Sequence, residues 1–368
     1  MNIFKRISFL TVALLSVILL SSWGYRGHLI INGNAPLCFP PSLSFLIGDF
    51  SRILVDSASA ADNRKDWDNT EAPKHFIDID NYPEFMLRGK IPMTYDSILR
   101  AYGYAYVTDN GTVPWSTFNT YDSLRNCFAR EDLVKAALFA ADLGHYVGDG
   151  HMPLHLTANY DGQNTGQDGV HSRYETRMIN SYYPQIIYPV DTARYIPDVP
   201  GFIFTYIYAN YADVDSVLSA DLVAKAQAGN TNSSTYTTAL WNNTRNFTIP
   251  LFRHATYSLA SLIYTAYLDG QKMAVHEQSA GTQGLGQNYP NPVRDYTVIP
   301  FDVDQNNSYV SLRILDALGN VRADLVAEKM NQGHHEIRWD SRALGDGCYY
   351  CVFKDDAIIS TKKLMLMH

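Results

Sequence analysis

EDLVKAALFAADLGHYVGDGHMPLH, residues 131–155, is the stretch on which the reading of this chain turns. Leu133, Ala136, Ala137, Ala140, Leu143 and Val147 recur at helical spacing, which predicts a helix over Glu131–Gly148 with a broad apolar face. His145 and Asp149 are four residues apart, so a helix through both places them on one face, one turn apart. Pro153 disfavours helical geometry at Met152 and ends the helix there. His155 lies just past that break, free to turn back toward the same centre.

Sixteen residues further on, His171-Ser-Arg-Tyr-Glu175 repeats the His/carboxylate step on what reads as a second helix. Imidazole and carboxylate are the ligands zinc takes when thiolates are not used. A lone histidine is more often a packed core residue than a ligand. Two such pairs with a further histidine at a proline break point instead to a metal centre. His151 is a further candidate ligand, but a residue between Asp149 and His155 need not face the metal, and it is expected behind the ligands or on the surface.

The N-terminus reads as an export signal over residues 1–22: Lys5 and Arg6, an apolar run from Ile7 to Leu20, then Ser21-Ser22. The run is short for a membrane span, although an uncleaved anchor is the competing reading. Cleavage after Ser22 makes Trp23 the mature N-terminus. Its α-amine and carbonyl oxygen then form a chelate that no internal residue offers. The amine has an ordinary pKa of about 8, low enough for zinc to displace its proton.

The chain is acidic, with net charge −8, and loss of Lys5 and Arg6 makes it more so. No basic run stands out, which excludes broad electrostatic binding of nucleic acid but not a nuclease that grips phosphate through metal. Four cysteines are too few for a disulfide scaffold. Cys348 and Cys351 have redox-motif spacing but sit in a strand-like run where residues three apart face opposite sides, so they read as structural. Whether Cys38 and Cys127 pair is left open.

Composition shifts near residue 275. Leu251–Leu268 has the pattern of a buried helix, His276–Gly286 is small, polar and Gly-rich, and short β-type runs follow. Thr297–Val303, Val310–Leu315, His335–Trp339 and Cys348–Phe353 alternate between turns and predict a small β-sandwich. The expected organisation is a signal over 1–22, a mainly helical domain over 23–274, a linker over 275–286 and an all-β domain over 287–368.

This tail resembles the C-terminal sorting domain of the type nine secretion system of some Gram-negative bacteria. The resemblance rests on Gln287-Asn-Tyr-Pro-Asn-Pro292, Val310–Gly319, Trp339-Asp340, Gly345–Tyr350 and Lys362-Lys363. It implies export across the outer membrane to the surface or medium, with the secretion machinery as partner. An accessory substrate-binding β-domain is the alternative.

The helical domain resembles the zinc-dependent phospholipase C and type I nuclease superfamily. The resemblance lies in four patches: Trp23…His28, Asp62…His75-Phe-Ile-Asp78, His145–His155 and His171–Glu175. It implies three zinc ions. One would be held by Asp62, His75, His145 and Asp149, a second by His155, His171 and Glu175. A third would be held by the Trp23 amine and carbonyl, His28 and a bridging Asp149. Asp66 and Asp68 compete with Asp62 for its place. The same resemblance implies hydrolysis of phosphodiester bonds, with Asp62 and Asp149 in catalytic roles. Phe76 is a candidate substrate contact, although an aromatic there is equally at home in the core. Glu175 as last ligand favours phospholipid as substrate, whereas the five-residue step from Trp23 to His28 favours single-stranded nucleic acid. A zinc-binding surface module without turnover is the reading from another class.

Overall fold

The computed structural model describes residues 24–186, 191–281, 284–317, 319–356 and 358–367, with backbone alone over 274–281. The expected signal and Trp23 lie outside these residues. The chain divides into two units between Leu268 and Asp269.

The first unit is helical. Its helices in chain order are α1 (Gly24–Asn34), α2 (Asp49–Asp56), α3 (Ala60–Arg64), α4 (Pro83–Arg88), α5 (Tyr95–Tyr102), α6 (Tyr104–Asp109), α7 (Val113–Ala129) and α8 (Leu133–Gly150). There follow α9 (Val170–Ser172), α10 (Ile179–Tyr182), α11 (Val199–Tyr211), α12 (Val214–Ala228) and α13 (Ser234–Gly281). Among the described residues no helix is long and apolar enough to cross a membrane.

Helix α8 runs through the middle of this unit. Asp132 caps its N-terminus by accepting from the Lys135 amide. From Ala136 onward the helix is alanine- and glycine-rich and mostly buried, with Leu138, Phe139 and Asp142 on its more open side. It ends at Gly150, two residues before Pro153 would first disturb it. Small residues on α8 let α1 come close. A methyl group on Gly144 would fall 2.0 Å from Asn32 Oδ1, and one on Gly148 3.0 Å from His28 Nδ1. Asn32 is fully buried in that crossing and bridges two elements, donating to the carbonyls of Leu54 at 3.0 Å and Ala141 at 3.3 Å.

Leu251, Phe252, Ala255, Leu259, Leu262, Ile263 and Ala266 supply the buried stripe of α13 that the sequence pattern predicts. The helical backbone then continues to Gly281, through part of the segment expected as linker. Residues 273–280 hold no proline or glycine, so nothing in them stops a helix.

Beyond the end of α13, the second unit is all-β. Strands β1 (Tyr296–Val303) and β4 (Gly333–Asp340) form one antiparallel pair. Strands β2 (Ser308–Asp316), β3 (Val321–Met330), β5 (Gly347–Lys354) and β6 (Ile359–Leu366) form a second sheet in the order β3-β2-β5-β6. Ile299, Phe301, Val303, Val310, Leu312 and Ile314 alternate inward from β1 and β2 and meet Trp339, Phe353, Leu364 and Leu366. The sequence pattern misses β3 and β6. Both are edge strands with largely exposed side chains, so their alternation is too weak to read.

None of the four cysteines forms a disulfide. Cys351 is buried in β5 and Cys348 half-buried, in keeping with a structural role for that pair.

Candidate metal centre

The four sequence patches converge on one site. His28 projects from α1, Asp62 from α3 and His75 from the end of a short 3₁₀ turn started by Pro73. His145 and Asp149 lie a turn apart on α8. Past the helix end the chain folds back on the His75 segment, with the Ile77 amide donating to the His155 carbonyl at 2.8 Å. His171 and Glu175 share a face where α9 widens into a π turn over Arg173–Met178. Such turns recur at functional sites because they re-aim side chains.

Three groups of donor atoms result. His28, His145 and Asp149 form one, Asp62, His75 and His145 a second, and His155, His171 and Glu175 a third. Within each, the ligand atoms lie within 4.8 Å of one another. Asp149 joins them. One oxygen, Oδ2, is 3.0 Å from His75 Nδ1 and 3.5 Å from His145 Nε2. The other, Oδ1, is 3.6 Å from His28 Nε2 and 3.8 Å from His155 Nδ1. Asp62 Oδ1 is 3.5 Å from His145 Nε2, and Glu175 Oε2 is 3.2 Å from His171 Nε2 and 3.6 Å from His155 Nε2. Ligands about 2.0–2.1 Å from a tetrahedral ion stand about 3.3 Å apart, close to these separations.

Backbone carbonyls decide which imidazole nitrogen faces inward. Ala58 O takes the Nδ1 proton of His145 at 2.9 Å, His75 O that of His155 at 2.6 Å and Tyr160 O that of His171 at 3.1 Å. Each leaves Nε2 as the nitrogen directed at the centre. Asp149 Oδ1, His155 Nε2, His171 Nε2 and Glu175 Oε2 are buried and lack hydrogen-bond partners. Burial without a partner costs about 1–3 kcal/mol per polar group, more for a charged one. A buried cluster of such imidazole and carboxylate atoms fits a cation.

The electrostatics agree. Burial disfavours an ionised Asp149, yet His145, His75 and His155 outweigh it and hold the carboxyl well below its usual range. Burial also opposes charge on His145, but Asp62 and Asp149 overcome it and raise its pKa to about 9. His28 is pushed down to about 3 by burial and by His145. Without metal, a proton on His145 stands where a metal cation would balance the carboxylates.

Asp62 keeps 14 % of its side chain exposed, and Lys65 Nζ is 2.6 Å from its Oδ1. Asp66 and Asp68, its competitors in sequence, belong to none of the donor groups. Phe76 is half-buried, its carbonyl held by the Val113 amide at 3.1 Å. His151 is fully buried, which overturns a surface position for it. Its Nδ1 donates to Val147 O at 2.7 Å, and its ring stacks on Tyr206 with centroids 4.3 Å apart.

Sequence reasoning passed over three carboxylates that build the surroundings. Asp80 accepts from Thr157 Oγ1 at 2.6 Å and the Ala158 amide at 2.9 Å, fixing the chain after His155. Asp161 accepts from the amides of Gly169 at 2.8 Å and His171 at 3.2 Å, setting the start of the second ligand helix. Glu71 is completely buried beside His75. Their pattern in sequence is that of ordinary loop acids, and only the chain's return past Pro153 brings Asp80 into use.

No curated protein matches the chain. Among solved structures, "Alpha Toxin from Clostridium Absonum" is similar at 11 % identity with a TM-score of 0.43, over 95 % of this chain and 97 % of that one. An alpha-toxin of Clostridium perfringens from avian strain SWCP is similar at 11 % identity with a TM-score of 0.40, over 95 % and 98 %. Residues 287–367, which hold all six strands β1–β6, match the family described as "Secretion system C-terminal sorting domain".

Proposed function

We propose that the helical unit is an exported zinc-dependent phosphodiester hydrolase of the phospholipase C kind, with the β unit as its sorting signal. The observation that carries this reading is the convergence of His28, Asp62, His75, His145, Asp149, His155, His171 and Glu175 from four patches, with partnerless lone pairs at its heart. The Trp23 amine and carbonyl would complete the set after signal cleavage, giving three zinc ions with Asp149 shared between two.

When bound, zinc in such sites brings the pKa of a water near 7 and offsets charge on phosphate and leaving oxygen. The protein's own groups do the rest. Asp149, held ionised, fixes the spacing of the donor groups. Asp62 retains some contact with solvent and is kept ionised: burial resists its charge, but His145, His28 and Lys65 outweigh it. Kept ionised, it can orient an attacking water by accepting a hydrogen bond from it. Phe76, next to His75, supplies an apolar contact for substrate.

Glu175 as the last ligand supports phospholipid as substrate. The short step from Trp23 to His28 favours the second reading, a single-strand nuclease. The deciding experiment assays the purified, zinc-loaded mature chain on phosphatidylcholine vesicles, single-stranded DNA and RNA, and a chromogenic phosphodiester. Phosphorylated head-group release supports the first reading and nucleotide release the second. Turnover of none of them overturns both and leaves a zinc-binding module.

A further inference from the structure

His75 is turned the other way from His145, His155 and His171. Its Nδ1 faces the centre, 3.0 Å from Asp149 Oδ2, 3.1 Å from His145 Nε2 and 3.7 Å from Asp62 Oδ1. Its Nε2 points away from the centre and is buried without a hydrogen bond among the described residues; the Glu71 carboxylate is within ion-pair distance of it, Oε1 at 3.5 Å. The backbone carbonyls that orient the other three rings have no counterpart here, and the Glu71 carboxylate stands in that place.

Glu71 is held firmly enough to orient the ring. It is fully buried, and Lys74 Nζ donates to Oε2 at 2.7 Å while Arg64 Nη2 donates to Oε1 at 3.2 Å. The Tyr146 hydroxyl donates to Oε1 as well. Arg64 also donates to the Tyr146 hydroxyl at 3.2 Å and to Asp142 at 3.0 Å. Each partner of Glu71 sits beside a ligand in sequence. Arg64 is two residues from Asp62, Lys74 precedes His75, and Tyr146 follows His145. One carboxylate therefore ties together the three segments that carry Asp62, His75 and His145.

We infer that Glu71 is the positioning residue of this donor group: its carboxylate accepts the Nε2 proton of His75 and thereby fixes Nδ1 as the nitrogen offered to metal. Carboxylate partners of this type set ring orientation and raise ligand basicity, and their loss weakens metal binding by about 10–100-fold. The inference rests on the metal-centre reading above and assigns a group that is not itself a ligand.

Two measurements on the full mature chain test it. The first is zinc affinity by chelator competition for wild type and Glu71→Gln, with the fold of each checked by circular dichroism in chelator. Glu71→Gln should bind zinc at the His75 site about 10–100-fold more weakly. A folded variant with affinity within about threefold of wild type overturns the proposal. The second is the histidine ¹⁵N–¹H spectrum of zinc-loaded wild type, which needs no variant and decides alone if Glu71→Gln does not fold. His75 should carry a slowly exchanging proton on Nε2 and be metallated through Nδ1, with the reverse pattern overturning the role given to Glu71. Failure of wild type to bind zinc at all would instead remove the metal-centre reading on which the inference stands.

Discussion

Polar motifs in the two units look alike in sequence and behave in opposite ways. In the β unit, Gln287-Asn-Tyr-Pro-Asn-Pro292 spends its polar atoms on the protein itself. Asn288 donates to Thr297 Oγ1 at 3.0 Å and to Pro290 O at 3.1 Å, and Gln287 and Asn291 both reach Lys363 O at 3.2 Å. In the helical unit, Asp149, His155, His171 and Glu175 are as deeply buried as Asn288 but keep lone pairs with no partner. A buried polar group with every bond made stabilises a fold. A convergent set with bonds left open is built for something that comes from outside.

The largest expected effect comes from the residue at the crossing of the donor groups. Asp149→Asn keeps the volume and removes the charge, and should lower phosphodiester turnover by roughly 10³-fold, about 4 kcal/mol of transition-state stabilisation. Zinc content by mass spectrometry should fall with it, while the zinc-free fold survives. A variant that keeps zinc and turnover would break the contrast between the units at its centre.

A smaller loss is expected from changing only the chain end. One extra residue before Trp23 displaces the proposed amine chelate without touching a side chain. The expected outcome is loss of one zinc ion per chain and most activity, read by metal analysis of the native protein. Full zinc content would remove Trp23 from the ligand set.

Spacing along a helix is legible in the sequence, and contact between distant segments is not. Steps of four pair His145 with Asp149 and His171 with Glu175 from residue numbers alone. The match of His75 to His155 depends on the chain's return past Pro153, and the sequence marks the break but not the direction of the return. Asp80 stayed hidden for the same reason: its partners, Thr157 and Ala158, lie on another segment, and an acid in a loop has no period. In the β unit, strands β1, β2, β4 and β5 announce themselves by alternation, whereas β3 and β6, exposed at the edges, do not.

The converse substitution belongs to the tail. Asn288→Ala opens the Thr297 and Pro290 contacts in a site only 3 % exposed, at a cost of about 1–3 kcal/mol. Hydrogen exchange of the β1 and β2 amides should speed up accordingly, with zinc content unchanged. Loss of zinc on this change would mean that the tail's motif is not purely structural.

His151 is where the contrast is sharpest, because it satisfies half of the criterion. Its Nε2 is buried and partnerless like the ligand atoms, yet it stands in no donor group and its ring lies on Tyr206. Burial holds its pKa down to about 3, with the Val147 bond opposing and His254 adding to the effect. The unfolded chain takes up that proton near pH 6.5, the native chain only near 3. Its contribution is therefore complete above about pH 6.5 and is lost as pH falls toward 3, at up to about 1.4 kcal/mol per pH unit. In chelator-treated protein, His151→Phe should unfold with a shallower loss of stability below about pH 6.5 and unchanged zinc affinity at about pH 7.5. An identical acid slope would mean that His151 is already protonated in the native state. Loss of zinc would mean that one open lone pair, without convergence, suffices to make a ligand.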